Sequence, residues 1–380
     1  MFNVLTLNKI SKIGLSRLGD NYNIADDVQN PDAVLVRSAA MHDMELPESL
    51  LAIARAGAGV NNIPLDKCSE KGIVVFNTPG ANANAVKELV LTGLLLSSRK
   101  VVDGIAWAKT LKGNGDAVGK MVEKGKSQFV GPEIMGKTLG VVGLGAIGIL
   151  VANAAAALGM DVIGYDPFLS VGNALKISPC VKYVNTLDEV FAASDYITVH
   201  VPLTPDTKGV INAANIAKMK DGVRILNFSR ADLAVSTDVL AALADKKVSA
   251  YVTDFATDDI LGADGVIAIP HLGASTPESE DNCARMAADE IKDFLENGNI
   301  KNSVTMPAVS MAKSGAARVC VIHKCAVDAV CAKLSEKAKV VAMASGSKKD
   351  YFYSIFDVAE DTDAEAVKAV DGVIRVRVIK

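Results

Sequence analysis

One segment carries the strongest structural signal: Thr138-Leu-Gly-Val-Val-Gly-Leu-Gly-Ala-Ile-Gly148, then an apolar run to Gly159 and Val162-Ile-Gly-Tyr-Asp166. This order predicts a strand, a glycine turn, a helix, a second strand and a terminal carboxylate. Gly143 permits the tight turn, Gly145 lets backbone N–H groups approach a pyrophosphate, and Gly148 lets the helix pack closely on the strand. The segment therefore predicts a dinucleotide-binding cradle.

The carboxylate at the end of the second predicted strand indicates which dinucleotide binds. Asp166 can accept hydrogen bonds from both ribose hydroxyls and would repel a 2′-phosphate, so NAD is favoured over NADP. The alternative is a tight turn in an α/β domain that binds nothing.

Composition excludes several classes of protein. The chain has 380 residues, enough for two or three domains, and 50% of them are hydrophobic. No uninterrupted apolar stretch approaches the roughly 20 residues of a membrane helix, so we expect no membrane association. The net charge of −4, without a basic block, argues against nucleic-acid binding.

The cysteines and the N-terminus predict a location. Six cysteines are scattered without C-x-x-C spacing or clustered histidines, so we expect free thiols and no metal site. The first ten residues lack a basic region and a cleavage site, and they are typical of a first strand. We therefore expect a cytoplasmic protein.

Hydrophobic patterning predicts an α/β protein with a distinct C-terminal part. Strands are predicted at residues 4–7, 33–37, 51–55, 73–77, 196–201, 223–228, 250–254 and 265–270. Helices are predicted at 84–98 and 276–297, with a polar connecting stretch at 109–137. The alternation predicts a doubly wound parallel sheet. The last residues predict a βαββαβ unit with strands at 318–323, 339–344, 351–358 and 372–379.

Side chains that could perform chemistry follow the predicted strands at their carboxyl ends, where doubly wound sheets bind ligands. His271 is the best candidate for proton transfer, because its imidazole changes charge near neutral pH. Arg230 could hold a substrate carboxylate through paired hydrogen bonds. Among Asp254, Asp258 and Asp259, one could support His271 and another could orient a nicotinamide amide. The alternatives are a structural loop histidine, a surface salt bridge and a solvated turn.

Several motifs occur in the order found in the D-2-hydroxyacid dehydrogenases, and the chain resembles that family over nearly its whole length. Besides the cradle with Tyr165-Asp-Pro, the motifs are Arg55-Ala-Gly-Ala-Gly-Val-Asn-Asn-Ile, Asn77-Thr-Pro-Gly-Ala-Asn-Ala-Asn, Asn227-Phe-Ser-Arg230, Thr253-Asp-Phe and Pro270-His-Leu-Gly-Ala-Ser-Thr. Within the family, the chain is most similar to the shorter 3-phosphoglycerate-oxidising branch with a C-terminal ACT regulatory domain.

The resemblance implies three domains. Residues 1–84 with 276–307 would form a flavodoxin-like α/β substrate domain, 85–275 a Rossmann-type NAD-binding domain, and 316–380 an ACT-like domain. It also implies oxidation of 3-phospho-D-glycerate to 3-phosphohydroxypyruvate, the entry to serine synthesis, by a homodimer or homotetramer.

The resemblance also assigns roles residue by residue. The catalytic residues would be His271, Arg230 and Asp259. The substrate would contact Arg37, Ser38, Arg55, Ala56, Gly57, Arg230 and His271. The cofactor would contact Ala58, Gly143, Gly145, Ala146, Ile147, Gly148, Asp166, His200, Val201, Phe228, Ser229, Arg230, Asp254, His271 and Gly273.

The chain departs from the family at two places. Asp259 stands where the family has a glutamate that supports the catalytic histidine, so its hydrogen bond to His271 requires a backbone shift or a bridging water. The ACT-like turn, residues 324–331, lacks the family's proline and glycine, so we expect this domain to serve assembly rather than serine binding.

Two other functions remain as alternatives. One is a dehydrogenase for another D-2-hydroxy acid, such as a glyoxylate or hydroxypyruvate reductase, which Arg37, Arg55 and the ACT-like tail disfavour. The other is a non-catalytic, NAD-responsive scaffold, which would require neither Arg230 nor His271.

Overall fold

A computed structural model describes residues 1–380, which fall into two compact units. The first unit comprises Met1–Asn82 and Pro277–Lys380, and the second comprises Ala83–Thr276. The first unit is therefore discontinuous in sequence.

The N-terminal part of the first unit is built on a parallel sheet. Its elements are β1 (Phe2–Leu7), α1 (Lys12–Leu15), β2 (Tyr22–Ala25), β3 (Ala33–Val36), β4 (Ala52–Arg55), α2 (Leu65–Glu70) and β5 (Val74–Asn77). The strand order is β2-β1-β3-β4-β5, a flavodoxin-like order. Every residue of β3 is buried, as expected for a central strand covered on both faces. Sequence analysis did not predict β2, a short edge strand with one residue buried.

The second unit is a doubly wound Rossmann-type domain, which confirms the predicted fold class. Its elements are α3 (Ala83–Arg99), α4 (Val101–Thr110), α5 (Val118–Gly125), β6 (Thr138–Val142), α6 (Ala146–Ala157), β7 (Asp161–Tyr165), α7 (Val171–Ala174), β8 (Val181–Tyr183), α8 (Leu187–Ala193), β9 (Tyr196–Val199), α9 (Ala213–Ala217), β10 (Val223–Asn227), α10 (Ser236–Ala244), β11 (Val248–Thr253) and β12 (Val266–Ala268). The parallel order is β12-β11-β10-β9-β6-β7-β8. The order reverses between β6 and β9, so a ligand crevice lies at their carboxyl ends.

The chain then returns to the first unit. The remaining elements are α11 (Pro277–Asn297), β13 (Ala317–His323), α12 (Val327–Ser335), β14 (Val340–Lys348), β15 (Tyr351–Val358) and β16 (Val373–Ile379). The four strands form an antiparallel sheet in the order β14-β15-β13-β16. The second helix predicted for the βαββαβ unit is wrong: a short 3₁₀ segment, Glu365–Ala369, lies there after a run of polar turn residues.

The two faces of the C-terminal sheet pack against different partners. One face, including Val319 and Phe356, packs with Leu334 of α12 in its own core. The other face, including Ile322 and Ile355, belongs to the same hydrophobic cluster as the N-terminal parallel sheet and α11. This sheet is therefore held to the rest of the first unit by apolar burial.

Polar groups of the C-terminal sheet bind the carbonyls at the end of α11. Arg318 Nη1 donates to the carbonyl of Asn297 at 2.7 Å, and the Tyr353 hydroxyl donates to the carbonyl of Gly298 at 2.6 Å. Arg377 donates to the carbonyls of Phe294 and Leu295. The last turn of a helix leaves carbonyls without intrahelical partners, so these side chains cap α11.

Three further observations concern the whole chain. No helix has the length and apolar character needed to cross a bilayer. All six cysteines are unpaired thiols. No group of three or more His, Cys, Asp or Glu side chains is arranged to hold a metal ion.

Candidate active site

The glycine cradle lies between β6 and α6. Gly143 has φ +95°, and a Cβ atom there would approach the carbonyl oxygen of His200 to 2.7 Å. A Cβ atom on Gly148 would collide with the carbonyl oxygen of Gly143. Both positions therefore require glycine for the protein's own packing.

Gly145 differs from these two glycines. It is the N-cap of α6, and a Cβ atom there would meet no protein atom within 4 Å. Ala146 and Ile147 follow in the first turn, where helix N–H groups and the helix dipole favour an anion. The open space above Gly145 fits the approach of a pyrophosphate to the backbone.

This contrast makes a prediction about two alanine variants. We expect Gly145→Ala to keep the melting temperature but to weaken NAD binding by at least about tenfold, because its methyl group occupies ligand space. We expect Gly148→Ala to lower the melting temperature, since its methyl group meets backbone. Thermal unfolding and NAD titration by calorimetry would measure both effects. Gly172→Ala, whose Cβ atom also meets nothing, is the control; equal NAD affinity in Gly145→Ala and Gly172→Ala would contradict the assignment.

The carboxylate of Asp166 is held at the edge of the cradle by two backbone groups. Its Oδ2 accepts from the N–H of Leu144 at 2.9 Å, and its Oδ1 accepts from the N–H of Phe168 at 2.9 Å. Each oxygen keeps further acceptor capacity, so the carboxylate can still receive hydroxyl groups. The geometry fits a ribose diol and disfavours a second phosphate there.

His200 directly follows β9, the strand beside β6 at the point where the strand order reverses. It is partly buried, and the burial of its ring lowers its pKa to about 4, so the ring is neutral at physiological pH. Its Nε2 lies 2.9 Å from Thr198 Oγ1, while Nδ1 has no hydrogen-bond partner. Nearby on β9, the carbonyl of Val199 accepts from the hydroxyl of Ser229 at 2.8 Å. The predicted cofactor residues His200 and Ser229 therefore lie at the ends of the neighbouring strands β9 and β10.

Asp254 follows β11 and is 2% exposed. Neither carboxylate oxygen has a well-directed hydrogen-bond partner, although the N–H groups of Asp254 and Gly273 favour its anion. Burial raises its pKa, while the positive charges of His271 and Arg230 oppose that rise. A buried carboxylate without a full set of donors fits a ligand that supplies N–H groups, such as a carboxamide.

His271 and Arg230 stand beside this carboxylate and are both exposed. The ring of His271 contacts the ring of Phe255 with centroids 4.7 Å apart. Arg230 Nη1 donates to the carbonyl of Ser229 at 2.6 Å, and its own carbonyl accepts from Asn227 Nδ2 at 2.9 Å. The structure therefore brings an imidazole, a guanidinium and a carboxylate to one edge of the sheet.

Asp259 lies in a different environment from the one predicted for it. Its Oδ1 accepts from the Thr257 hydroxyl at 2.5 Å, and the Ser236 hydroxyl is a second donor. These hydrogen bonds lower its pKa, with Ser236 contributing most. His271 is not among the groups that interact with Asp259, and the carboxylate whose charge interacts with His271 is Asp254.

The predicted substrate residues of the first unit follow β3 and β4. Arg37 Nη2 forms an ion pair with Glu280 Oε1 at 2.7 Å, and the carbonyl of Arg37 accepts from Arg55 Nε at 3.0 Å. Ser38 N donates to Asn8 Oδ1 at 3.0 Å, and the carbonyl of Ala58 accepts from Asn77 Nδ2 at 2.6 Å. A Cβ atom on Gly57 would collide with the Arg55 guanidinium, so glycine leaves room for that side chain, and Ala56 lies between them.

Sequence analysis missed two residues that contact the predicted site residues. Phe255 contacts His271, and its signal was the motif Thr253-Asp-Phe, in which only the aspartate received a role. Glu280 neutralises Arg37 from α11, far along the chain, so no local pattern could indicate it.

The cradle, the strand reversal and the polar groups at the carboxyl edge are typical of a dinucleotide-binding site. A model of the D-isomer specific 2-hydroxyacid dehydrogenase NAD-binding domain matches residues 93–273. Residues 93–273 therefore form an NAD-binding domain of the D-isomer specific 2-hydroxyacid dehydrogenase type. The family match and the cradle geometry confirm the prediction of NAD as cofactor.

Several curated relatives share a name. The chain is 34% identical to the D-3-phosphoglycerate dehydrogenase of Bacillus subtilis over 82% of its own length. It is 35% identical to that of Methanocaldococcus jannaschii over 77% of its length. It spans 60% and 55% of these two relatives, less than two thirds of each.

Solved structures share the fold. An NAD⁺-bound 3-phosphoglycerate dehydrogenase from Entamoeba histolytica is 26% identical, with a TM-score of 0.60 over 80% of this chain and 98% of that one. A D-mandelate dehydrogenase from Rhodotorula graminis is 23% identical, with a TM-score of 0.67 over 80% of this chain and 97% of that one, and supports the fold alone.

Proposed function

We propose that this protein is an NAD-dependent dehydrogenase that oxidises 3-phospho-D-glycerate to 3-phosphohydroxypyruvate, the first step of serine synthesis. The observation that carries the proposal is the grouping of His271, Arg230 and the buried Asp254 at the carboxyl edge of the parallel sheet that also carries the glycine cradle. Similarity to D-3-phosphoglycerate dehydrogenases supports the choice of substrate.

Each residue has a chemical task in this proposal. Arg230 binds the substrate carboxylate through charge-assisted hydrogen bonds and orients the adjacent carbon. His271 accepts the hydroxyl proton at a ring nitrogen as that carbon is oxidised. Bound NAD supplies the acceptor for the hydride that leaves the same carbon. Asp254 offers a carboxylate to the cofactor amide and, through its charge, stabilises protonated His271.

The phosphate of the substrate requires fixed cations. Arg37 and Arg55 are the proposed ligands, because guanidinium groups bind phosphate in paired hydrogen bonds. Glu280 already engages Arg37, so a phosphate would compete with this carboxylate for the guanidinium. We propose that residues 1–84 with 276–307 bind the substrate and that 85–275 bind NAD.

The test compares substrates in the reductive direction, and the absorbance of NADH monitors the reaction. Purified protein would receive 3-phosphohydroxypyruvate, hydroxypyruvate, glyoxylate or 2-oxoglutarate. We expect a strong preference for the phosphorylated acid in kcat/KM. Better turnover of an unphosphorylated acid would favour a glyoxylate or hydroxypyruvate reductase, and no turnover of any would favour a non-catalytic NAD-responsive scaffold.

The choice between Asp254 and Asp259 as the carboxylate that supports His271 leads to a second prediction. We expect Asp254→Asn to lower kcat/KM by about tenfold, because this variant loses the carboxylate whose charge interacts with His271. Asp259→Asn can keep its hydrogen bonds with Thr257 and Ser236 and is the matched comparison. A loss of kcat/KM in Asp259→Asn alone would restore the pairing that the sequence suggested.

We also propose a homodimer or homotetramer in the cytoplasm. Helix α4 buries none of its residues within the chain, and Val101, Val102 and Ile105 are each more than 40% exposed. Apolar side chains at this density favour contact with another protein surface. Sedimentation of the purified protein would give the oligomeric state.

A further inference from the structure

A groove in the first unit lies along α11, outside the residues assigned to the dehydrogenase site. We name it the α11 groove; it has a volume of about 610 Å³, and its lining includes Phe76, Arg285, Met286, Asp289, Glu290 and Lys301. Nothing in the proposed dehydrogenase reaction uses it.

Glu290 is the unusual member of the α11 groove. It is 6% exposed, and its Oε1 accepts from Asn302 Nδ2 at 2.6 Å. Its Oε2 is buried and has no partner. A buried carboxyl oxygen without a partner is costly, so this atom indicates a ligand that supplies a hydrogen-bond donor.

The other charges of the groove are paired, with one exception. Asp293 pairs with Lys301 at 2.8 Å, and Asp289 pairs with Arg17 at 2.9 Å. Arg285 donates only to the neutral Asn282 side chain at 3.0 Å and forms no ion pair. The groove therefore has one acceptor without a donor and one cation without an anion.

The Glu290 carboxyl and the Arg285 guanidinium lie on one helix and carry opposite charges when ionised, so together they fit a zwitterion. Residues 285 and 290 are separated by about 7.5 Å along the helix axis, and both line the groove. Phe76 and Met286 add apolar lining to the groove. A metal ion does not fit, because the carboxyls here do not form a ligating group.

We propose that the α11 groove binds a free α-amino acid with an apolar side chain. Its ammonium group donates to Glu290 Oε2, and its carboxylate accepts from the Arg285 guanidinium. Its side chain packs against Phe76 and Met286. This site is distinct from the proposed dehydrogenase site, since no individual residue of the groove is assigned a contact with the substrate or the cofactor of that reaction.

Calorimetric titration of the full-length protein with L-valine, without substrate or cofactor, tests the proposal. We expect saturable binding by L-valine and at least tenfold weaker binding by L-valinamide, which lacks the carboxylate, and by N-acetyl-L-valine, which lacks the ammonium group. No saturable binding of L-valine, L-alanine or L-methionine would overturn the proposal. Equal binding of either modified valine would also overturn it.

Protein variants locate the site. We expect Glu290→Gln and Arg285→Met each to weaken L-valine binding at least tenfold, while Glu278→Gln, on the same helix outside the groove, leaves it unchanged. Glutamine preserves the acceptor for Asn302, so the fold is retained. Binding unchanged in both groove variants would overturn the proposal, whereas a failure of the dehydrogenase assay would not affect it.

The pH dependence of binding gives an independent readout. Burial raises the pKa of Glu290 to about 8, with a smaller rise from Asp289 and opposing effects from Asn302 and Lys301. The other groups facing it are Asp293 and Arg285. If the ligand requires the ionised carboxyl, affinity rises roughly 50-fold between about pH 6 and about pH 8, as the ionised fraction grows. A constant affinity over this range would contradict the role of Glu290.

Discussion

Replacing His271 by asparagine is expected to lower kcat by about 10²- to 10⁴-fold, the range that a general base contributes. Asparagine preserves the approximate size and polarity of the side chain but cannot accept a proton at neutral pH. His271 is exposed and contacts Phe255 through its ring, so its loss leaves no buried cavity. The fold and the cradle should therefore be retained.

Steady-state kinetics with the preferred 2-oxo acid and NADH would measure the effect. Because the imidazole acts as the hydroxyl bond forms or breaks, we expect kcat to fall far more than KM changes. NAD titration should give an affinity within a few-fold of the parent protein. His42→Asn is the matched control, since His42 is an exposed histidine whose Nε2 lies 2.9 Å from the carbonyl of Asn61.

The outcome separates two roles for His271. If the variant kept more than about a tenth of the rate, another group would have to carry the proton, and His271 would be a loop residue. If both kcat and NAD affinity collapsed, the histidine would hold the loop that follows β12. Only a selective loss of kcat agrees with proton transfer.

The glycine cradle could be predicted from sequence because its constraints are local. Gly143 and Gly148 each meet backbone atoms of their own βαβ unit or of the adjacent strand end, and the spacing of three glycines encodes that geometry. The carboxylate of Asp166 likewise follows its strand at once. Motifs of this kind specify backbone conformation, so one sequence is sufficient to identify them.

Features that depend on distant or marginal contacts could not be predicted. Strand β2 is a short edge strand with mixed burial, and its pattern does not differ from that of a loop. The Thr257 and Ser236 partners of Asp259 depend on how the loop after β11 folds back. The ion pair of Arg37 with Glu280 joins two strand and helix ends far apart in sequence. Each of these features can be identified only from the tertiary structure.

The ion pair between Arg318 and Asp357 gives the largest expected effect on stability. Both side chains are 0% exposed, and two hydrogen bonds of 2.7 and 3.0 Å join them across β13 and β15. Removing one partner of a buried pair leaves an uncompensated charge and typically costs about 3–5 kcal/mol. We expect Asp357→Leu to lower the free energy of unfolding of the C-terminal sheet by this amount.

The other contacts of the pair suggest how the loss spreads. Arg318 Nη1 also donates to the carbonyls of Asn297 and Met311, so the guanidinium ties the sheet to the end of α11. Asp357 Oδ2 accepts from the N–H and hydroxyl groups of Ser314. Without Asp357, the segment that leads into β13 loses an anchor, and the sheet should open from that side.

The pair also makes the sheet sensitive to acid. Burial raises the pKa of Asp357, but the hydrogen bonds from Arg318 and Ser314 outweigh it and leave the pKa lowered. A lowered carboxyl pKa contributes stability that is present above the unfolded value of about 3.9 and is lost as the pH falls through the folded value. The C-terminal strands should therefore loosen below about pH 4 in the parent protein.

Hydrogen exchange of the amides in β13 and β15, followed by mass spectrometry, would measure the opening free energy of this sheet. The Arg318→Met and Asp357→Leu double variant removes both charges, so it should lose less stability than Asp357→Leu alone, because no unpaired charge remains buried. If the double variant instead lost the sum of the two single losses, the two charges would not be coupled. In that case the capping bonds from Arg318 to α11, and not the ion pair, would hold the C-terminal sheet in place.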